Sequence, residues 1–267
     1  MTGKYVAIVI AAGLSSRMGA FKPLMDLGGK PAIVRLLDSI QIAGIRQVII
    51  VVGHKKEAIF DEILYYVKDK TNKIWIETLD FTPNQACKTV DKTQFYVINR
   101  PSSIYDINAN EANTTSKAAN SAGETSISLV FNANFEDGMF SSVKIGLKAQ
   151  IFDRTYDAAL LFPVDIPLIS SETISGMLYY WENRSEGSYR NFVIPVYQGK
   201  NGHPLLIPSV YFGEILNYSG RGGLKGIRDK YSQGMLRYIT DDEGCILDMD
   251  TPDDYEVLLD YDKRQRP

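Results

Sequence analysis

Four short, uninterrupted apolar runs constrain this chain more than anything else in it. Tyr5–Ala11 (YVAIVIA), Gln47–Val52 (QVIIVV), Ile127–Phe131 (ISLVF) and Asp157–Phe162 (DAALLF) lack the apolar-polar alternation of a half-solvated strand, so each reads as a strand buried on both faces. Between the first two, Ile33, Leu36, Leu37 and Ile40 fall at i, i+3, i+4, i+7 and mark a helix face, with Gly44 placed to end it. Ile59, Ile63, Leu64 and Val67 mark a second helix, and Met139 to Gln150 a third, lying between the last two strands. A βαβα series of this kind predicts an α/β fold. A mostly parallel, Rossmann-like sheet lies between two helical layers as a three-layer αβα sandwich, with right-handed crossovers. In such sheets ligands bind beyond the carboxyl ends of the strands.

The remainder is less regular. Asn191–Val196 and His203–Pro208 read as short strands joined by the turn YQGKNG, and Met235–Thr240 as an edge strand. From about 80 to 124 the chain is rich in Asn, Thr, Ser and Ala, with FYVINR as its one strand-like stretch. A segment with so few large apolar groups cannot hold a core of its own. We read residues 1–267 as one domain carrying a polar, flexible insertion at about 80–124.

Composition excludes several classes. With 45% hydrophobic residues in 267, the chain buries a large core without staples, and its two cysteines, Cys87 and Cys245, have neither zinc-site nor disulfide spacing. The expected setting is a reducing cytoplasm, with no signal peptide and no bilayer span. A formal net charge of -3 with scattered cations argues against nucleic-acid partners.

The first strand leaves through AAGLSSRMGAFKPL. Gly13 relieves backbone strain and admits a ligand close to the main chain, Ser15 and Ser16 offer hydroxyls beside backbone N–H groups that cradle anions, and Arg17 and Lys22 supply charge for phosphate oxygens. Neither G-x-G-x-x-G nor G-x-x-x-x-G-K-[ST] is present, which counts against a dehydrogenase and a P-loop ATPase. The plain alternative is a surface βα turn.

Asp165 follows the fourth strand in PVDIPLI, either as a metal-binding carboxylate at a strand end or as a turn residue ahead of Pro167. In LDMDTPDDY, Thr251, Pro252 and Asp254 form a helix start by themselves. Lys263, Arg264 and Arg266 suit its far end, and spacing alone leaves Asp248 and Asp250 open as ligands. Asn132, Gly138, Ser141 and Ser142 sit at a strand exit and helix start, as nucleotide contacts or caps. His203, in NGHPLL, is either structural or a ligand contact, and His54 is read as a surface residue.

The loop spacing resembles the signature (L/I)AAGxSxRMGxxKxL of the MobA-like nucleotidyltransferases. The elements N...GM.SS, D-x-P, GHP and D-x-D-T-P-D-D-Y follow in that family's order. Ala11, Ala12 and Gly13 give the AAG form, similar to molybdenum cofactor cytidylyltransferases, where guanylyltransferases carry AGG. The resemblance implies a nucleotide-diphospho-sugar transferase type of sheet and CMP transfer from CTP to a molybdopterin-type phosphate. It also implies a Mg²⁺ ion, or Mn²⁺ in its place, on Asp165 and Asp250, and a molybdenum hydroxylase of the xanthine dehydrogenase type as recipient. Catalysis would fall to Arg17, Lys22 and Asp165. Binding would fall to Ala11, Ala12, Gly13, Ser15, Ser16, Arg17, Lys22, Asn132, Ser142 and His203, with the methyl of Ala12 crowding out a purine. Alternatives are GTP as donor, a sugar phosphate or methylerythritol phosphate as acceptor, and a non-catalytic cofactor carrier. A glycosyltransferase is disfavoured because DMD opens the final helix rather than ending a central strand.

Overall fold

A computed structural model describes residues 3–68, 74–81, 125–150, 156–183, 190–231 and 234–266. Cys87, FYVINR and residues 82–124 of the polar segment lie outside the described residues. Central strand β1 (Tyr5–Ala11) is buried along its whole length, flanked in parallel by β2 (Gln47–Val52) and β5 (Ala158–Pro163), with Val9 opposite Ile50 on one side and Phe162 on the other. Beyond β2 come β4 (Thr125–Asn132) and β3 (Ile74–Phe81), both parallel. Beyond β5 the direction reverses at β8 (Leu205–Pro208), which is antiparallel to both β5 and β6 (Phe192–Tyr197). The short β7 (Lys200–Asn201) turns back on β6, and β9 (Met235–Ile239) runs parallel to it. Each sheet partner of β1 is apolar, which is why this strand reads as one continuous apolar run.

Helices cover both faces. Ala7, Val9 and Ala11 face α1 (Ala32–Ile42), α2 (Lys56–Lys68) and α4 (Ser171–Glu182), through Leu37, Ile63 and Met177 among others. Val6, Ile8 and Ile10 face α3 (Met139–Gln150), α5 (Phe212–Asn217) and α6 (Gly223–Lys230), through Val143, Leu147, Ile215 and Ile227. Each fully buried side chain of this kind stabilises by about 1.5–3 kcal/mol. The three layers match the sequence expectation. A third, smaller cluster joins Met18, Leu27 and Ala32 to Met249, Leu258 and Tyr261, packing α7 (Pro252–Gln265) beneath the loop that leaves β1.

Some elements depart from the sequence reading. β3 was not expected, because Glu77, Thr78 and Asp80 break its apolar run; the polar segment therefore begins two residues inside that strand. α4 escaped because Gly176 interrupts it, and there the Tyr238 hydroxyl lies 2.1 Å from where a Cβ would stand. α6 buries only Ile227 and carries glycines at 223 and 226. The strands around YQGKNG are no simple hairpin: β6 meets β8 only at Val193 and Leu206, and β8 starts at Leu205, after a cis His203–Pro204 bond.

Candidate active site

The loop after β1 is anchored from below. Met18 is buried in the third cluster, and the Ser15 hydroxyl accepts from the Lys22 backbone N–H at 3.2 Å. The backbone strain expected at Gly13 lies elsewhere. Gly13 has no positive φ and a Cβ there would meet nothing within 4 Å, whereas Ser15 (φ 55°) and Gly19 (φ 68°) carry the left-handed conformations. Open space over Gly13 still admits a ligand to the main chain. Ala11 and Ala12 are buried, Ala12 within the apolar cluster under β1 and only 2% exposed. Its methyl is spent in the core and presents no surface to a base, so the proposed crowding of a purine by Ala12 does not hold.

Lys22 opens a short 3-10 turn (Lys22–Leu24) and its side chain is almost fully covered. Its ammonium reaches Asp250 Oδ1 at 2.6 Å and Asp165 Oδ2 at 3.5 Å. Arg17 meets Asp250 Oδ2 at 2.9 Å, but its side chain is 71% exposed, so that pair contributes little stability and leaves the guanidinium free to move. The sequence-distant carboxylates are brought together by backbone: the Met249 N–H donates to the Asp165 carbonyl at 2.9 Å, two residues past the end of β5. A reciprocal capping box then sets the start of α7. Thr251 Oγ1 accepts from the Asp254 N–H, and the Asp254 carboxylate accepts from the Thr251 N–H at 2.8 Å. The local helix-start reading of DMDTPDD holds, and the same cap leaves Asp250 against Lys22.

Charge follows this geometry. The Lys22 hydrogen bond holds the Asp250 carboxyl below the usual carboxylate range, aided by Arg17. Asp248 is exposed and unpaired with Lys22, and is pushed upward by partial burial and then by Asp250, Asp254 and Asp165. Asp250 rather than Asp248 therefore faces the loop. Among the described residues no group of three or more His, Cys, Asp and Glu side chains gathers as a closed metal cage. Two carboxylates around one buried ammonium do suit Mg²⁺ or Mn²⁺, because such ions take one or two protein carboxylates and leave the rest of the shell to water and phosphate oxygens.

His203 is partly buried beside this centre. Its backbone N–H donates to the Cys245 carbonyl at 2.8 Å, and Gly202 lets that strand approach, since a Cβ there would stand 2.4 Å from the same carbonyl oxygen. Burial lowers its pKa, against the field of Asp165, and its Nδ1 is buried without a partner. An unsatisfied ring nitrogen marks a place for a ligand or water.

Asn132 and Ser142 behave differently. Both are buried, at 1% and 2% exposure. The Asn132 amide donates to Ser141 and Ser142 at 2.9 and 3.0 Å, and its Oδ1 accepts from the Asn134 N–H. They brace the turn between β4 and α3, and Ser141 is the more open member. His54 is also no free surface residue: its N–H donates to the Ala12 carbonyl at 3.3 Å and its ring meets Phe21 edge-on.

The residues missed from sequence are Met18, Gly202 and Lys55. Met18 shares its loop with the apolar Leu14 and Phe21, and nothing in the sequence marks it as the buried one. The other two depend on contacts between distant segments.

The sequence matches the MobA-like NTP transferase domain over residues 7–74 and 97–235, well over half the chain. The chain belongs to the MobA-like NTP transferase family. This makes it a nucleotidyltransferase by family. The match leaves out 75–96 and stops short of Asp250, which the fold alone returns to the loop. Rv0371c of Mycobacterium tuberculosis has a similar fold, with a TM-score of 0.62 at 18% identity over 97% of this chain and 100% of that one. A second structure of Rv0371c, in complex with manganese, gives 0.58 at 17% over 96% and 98%. Curated relatives match over short stretches. The bifunctional protein GlmU of Staphylococcus epidermidis is 34% identical over 70 residues, or 24% of this chain and 16% of its own length. A CMP-5'-(3-aminopropyl)phosphonate synthase of Streptomyces rubellomurinus is 40% identical over 58 residues, 20% of this chain and 9% of its own. No helix among the described residues is long and apolar enough to cross a membrane.

Proposed function

We propose that this MobA-like nucleotidyltransferase moves CMP from CTP to the phosphate of a molybdopterin-type acceptor in the cytoplasm, releasing pyrophosphate with Mg²⁺ or Mn²⁺. The observation that carries the transfer chemistry is the meeting of Lys22, Asp165 and Asp250 at the mouth of the β1 loop. An ionised acceptor oxygen bonds to the α-phosphorus as the bond from that phosphorus to the bridging oxygen of the β-phosphate breaks. No general base is needed. Lys22 and Arg17 neutralise charge that grows on the bridging oxygen and on the departing pyrophosphate, acting by position and electrostatics. Asp165 and Asp250 would hold the divalent cation, which would supply Lewis-acid charge to the reaction. His203, kept neutral by burial, offers its free Nδ1 to the acceptor. The loop main chain at Gly13, Ser15 and Ser16 would wrap the triphosphate, with Asn132 and Ser142 fixing the neighbouring turn. CTP and the molybdopterin acceptor rest on the resemblance of the AAG and GHP elements, with no contact of Ala12 to a base behind it, and CTP also on the CMP in one relative's name. Delivery to a molybdenum hydroxylase of the xanthine dehydrogenase type rests on the resemblance alone.

Pyrophosphate release measured across CTP, GTP, UTP and ATP, with molybdenum cofactor present or absent, tests donor and acceptor together. Release with CTP that depends on the cofactor is the expected result. Release that needs a sugar phosphate, methylerythritol phosphate or a phosphonate instead transfers the assignment to that acceptor, and tight cofactor binding with no release makes the protein a carrier.

A further inference from the structure

Two non-glycine residues with left-handed backbones, Ser15 (φ 55°) and Lys55 (φ 51°), line one cavity of about 230 Å³. Side chains rarely adopt this conformation, and where they do the surrounding structure imposes it, often at a ligand site. Here the imposing contacts are visible. The turn after β2 is drawn onto the β1 loop by the His54 N–H to Ala12 carbonyl bond, and Gly53 bridges to Lys55. Gly53 must lack a side chain, since its Cβ would stand 2.8 Å from the Ala12 oxygen. Lys55 is thereby carried across to the loop, its ammonium 5.4 Å from the centre of the Phe21 ring.

The chemistry of the lining is one-sided. Ser15 and Ser16 contribute hydroxyls, Gly19 and Ala20 leave backbone exposed, and no carboxylate lines the cavity. Lys55 has no ion pair among the described residues, whereas Lys22 and Arg17 are both tied to Asp250. A larger cavity of about 470 Å³, lined by Glu172, Asp241, Asp242 and Glu243, has the wrong sign of charge for a phosphate. The smaller cavity is only about 230 Å³. That suits a pair of linked phosphates rather than a whole nucleotide.

We propose that Lys55, a residue outside the loop that would wrap the triphosphate, is a further cation for the two terminal phosphates and hence for the leaving pyrophosphate. The assignment deepens the nucleotidyltransferase reading and rests on it. It adds a cation at the far end of the phosphate chain to Lys22 and Arg17, which are held at the carboxylate centre by Asp250.

The test is calorimetric titration of the full chain with inorganic pyrophosphate and Mg²⁺, comparing wild type with Lys55→Ala, Lys55→Gln, Lys55→Arg and Lys22→Ala, each checked for an unchanged melting temperature. Lys55→Ala and Lys55→Gln should weaken pyrophosphate binding roughly tenfold or more, as loss of a charge-assisted contact does, and Lys55→Arg should recover most of it. In turnover the loss should fall on KM for the triphosphate more than on kcat. Unchanged pyrophosphate binding in both neutral Lys55 variants, with binding lost in Lys22→Ala, would overturn this inference and leave the proposed function standing. Wild type that fails to bind pyrophosphate at all would overturn both.

Discussion

The Lys22 ammonium and the Asp250 carboxylate lie 2.6 Å apart although 228 positions separate them in the chain. Asp165, 3.5 Å from the same ammonium, makes the centre a triad of one cation and two acids. Lys22→Met should therefore lower the rate of pyrophosphate release by about 10²–10³, the usual cost of removing one preorganised charge from a transition state. Asp165→Asn and Asp250→Asn should be non-additive, because each alters the partner shared with the other. Steady-state kinetics on the two single variants and the double variant measure this directly. Additive losses would show that the two acids act independently.

A divalent cation should be essential. Chelation with EDTA should abolish turnover, and Mg²⁺ or Mn²⁺ should restore it. Asp165→Asn should raise the metal concentration needed for half-maximal rate. A metal dependence unaltered in both Asp165→Asn and Asp250→Asn would remove these residues from the metal site.

Acid should weaken the fold partly through Asp250. Its carboxyl is held below the ordinary value of about 3.9 by Lys22. The unfolded chain therefore takes up this proton first as pH falls. The stabilisation is present above the unfolded value and is lost as pH drops through the folded one. Urea unfolding between pH 6 and 2.5 should show wild type and Asp250→Asn converging at the acid end. Parallel curves across that range would sink the assignment.

Asn132→Ala should act on stability before activity. It removes a buried amide with three hydrogen bonds and leaves the Asn134 N–H and the buried Ser142 hydroxyl without that partner, a loss of about 1–3 kcal/mol. In a chain of this size each kcal/mol lowers Tm by about 2–4 °C. A stable Asn132→Ala protein with a raised KM for the triphosphate would instead make Asn132 a direct ligand contact.

Cys245 should be silent in the native protein. It is buried, and burial beside Asp242 pushes its thiol up to about 12. Since the reactive species is the thiolate, alkylation at pH 8 should reach it only after unfolding. Mass spectrometry after native and denatured labelling reads this out.

The core strands and α1 to α3 were legible because their apolar spacing is a local property. β1 and β2 match the expected ranges end to end, and the capping box of α7 follows from Thr251, Pro252 and Asp254 alone. α4 and α6 were not, because their glycines at 176 and 223 answer to Tyr238 and Phe140 in other segments. The site divides in the same way. Arg17 and Lys22 could be singled out by their position after a strand, and Asp165 likewise. Spacing left Asp248 and Asp250 open, the resemblance pointed to Asp250, and it is Asp250 that lies against Lys22. Ala12 misled because a small residue in a ligand loop and a small residue in a core look alike in one dimension.

The final helix carries one more implication. α7 is fastened to α1 through Asp262, which is buried and receives both Arg35 and Arg266, and the residue just ahead of its N-cap, Asp250, meets a loop formed near the other end of the chain. A nascent chain can thus build its central strands early and yet possess no complete charge centre until residue 250 and the helix after it have docked. Contacts this distant in sequence close slowly. A fragment that ends before Asp250 lacks one of the two carboxylates proposed for the metal and should bind Mg²⁺ or Mn²⁺ more weakly than the full chain.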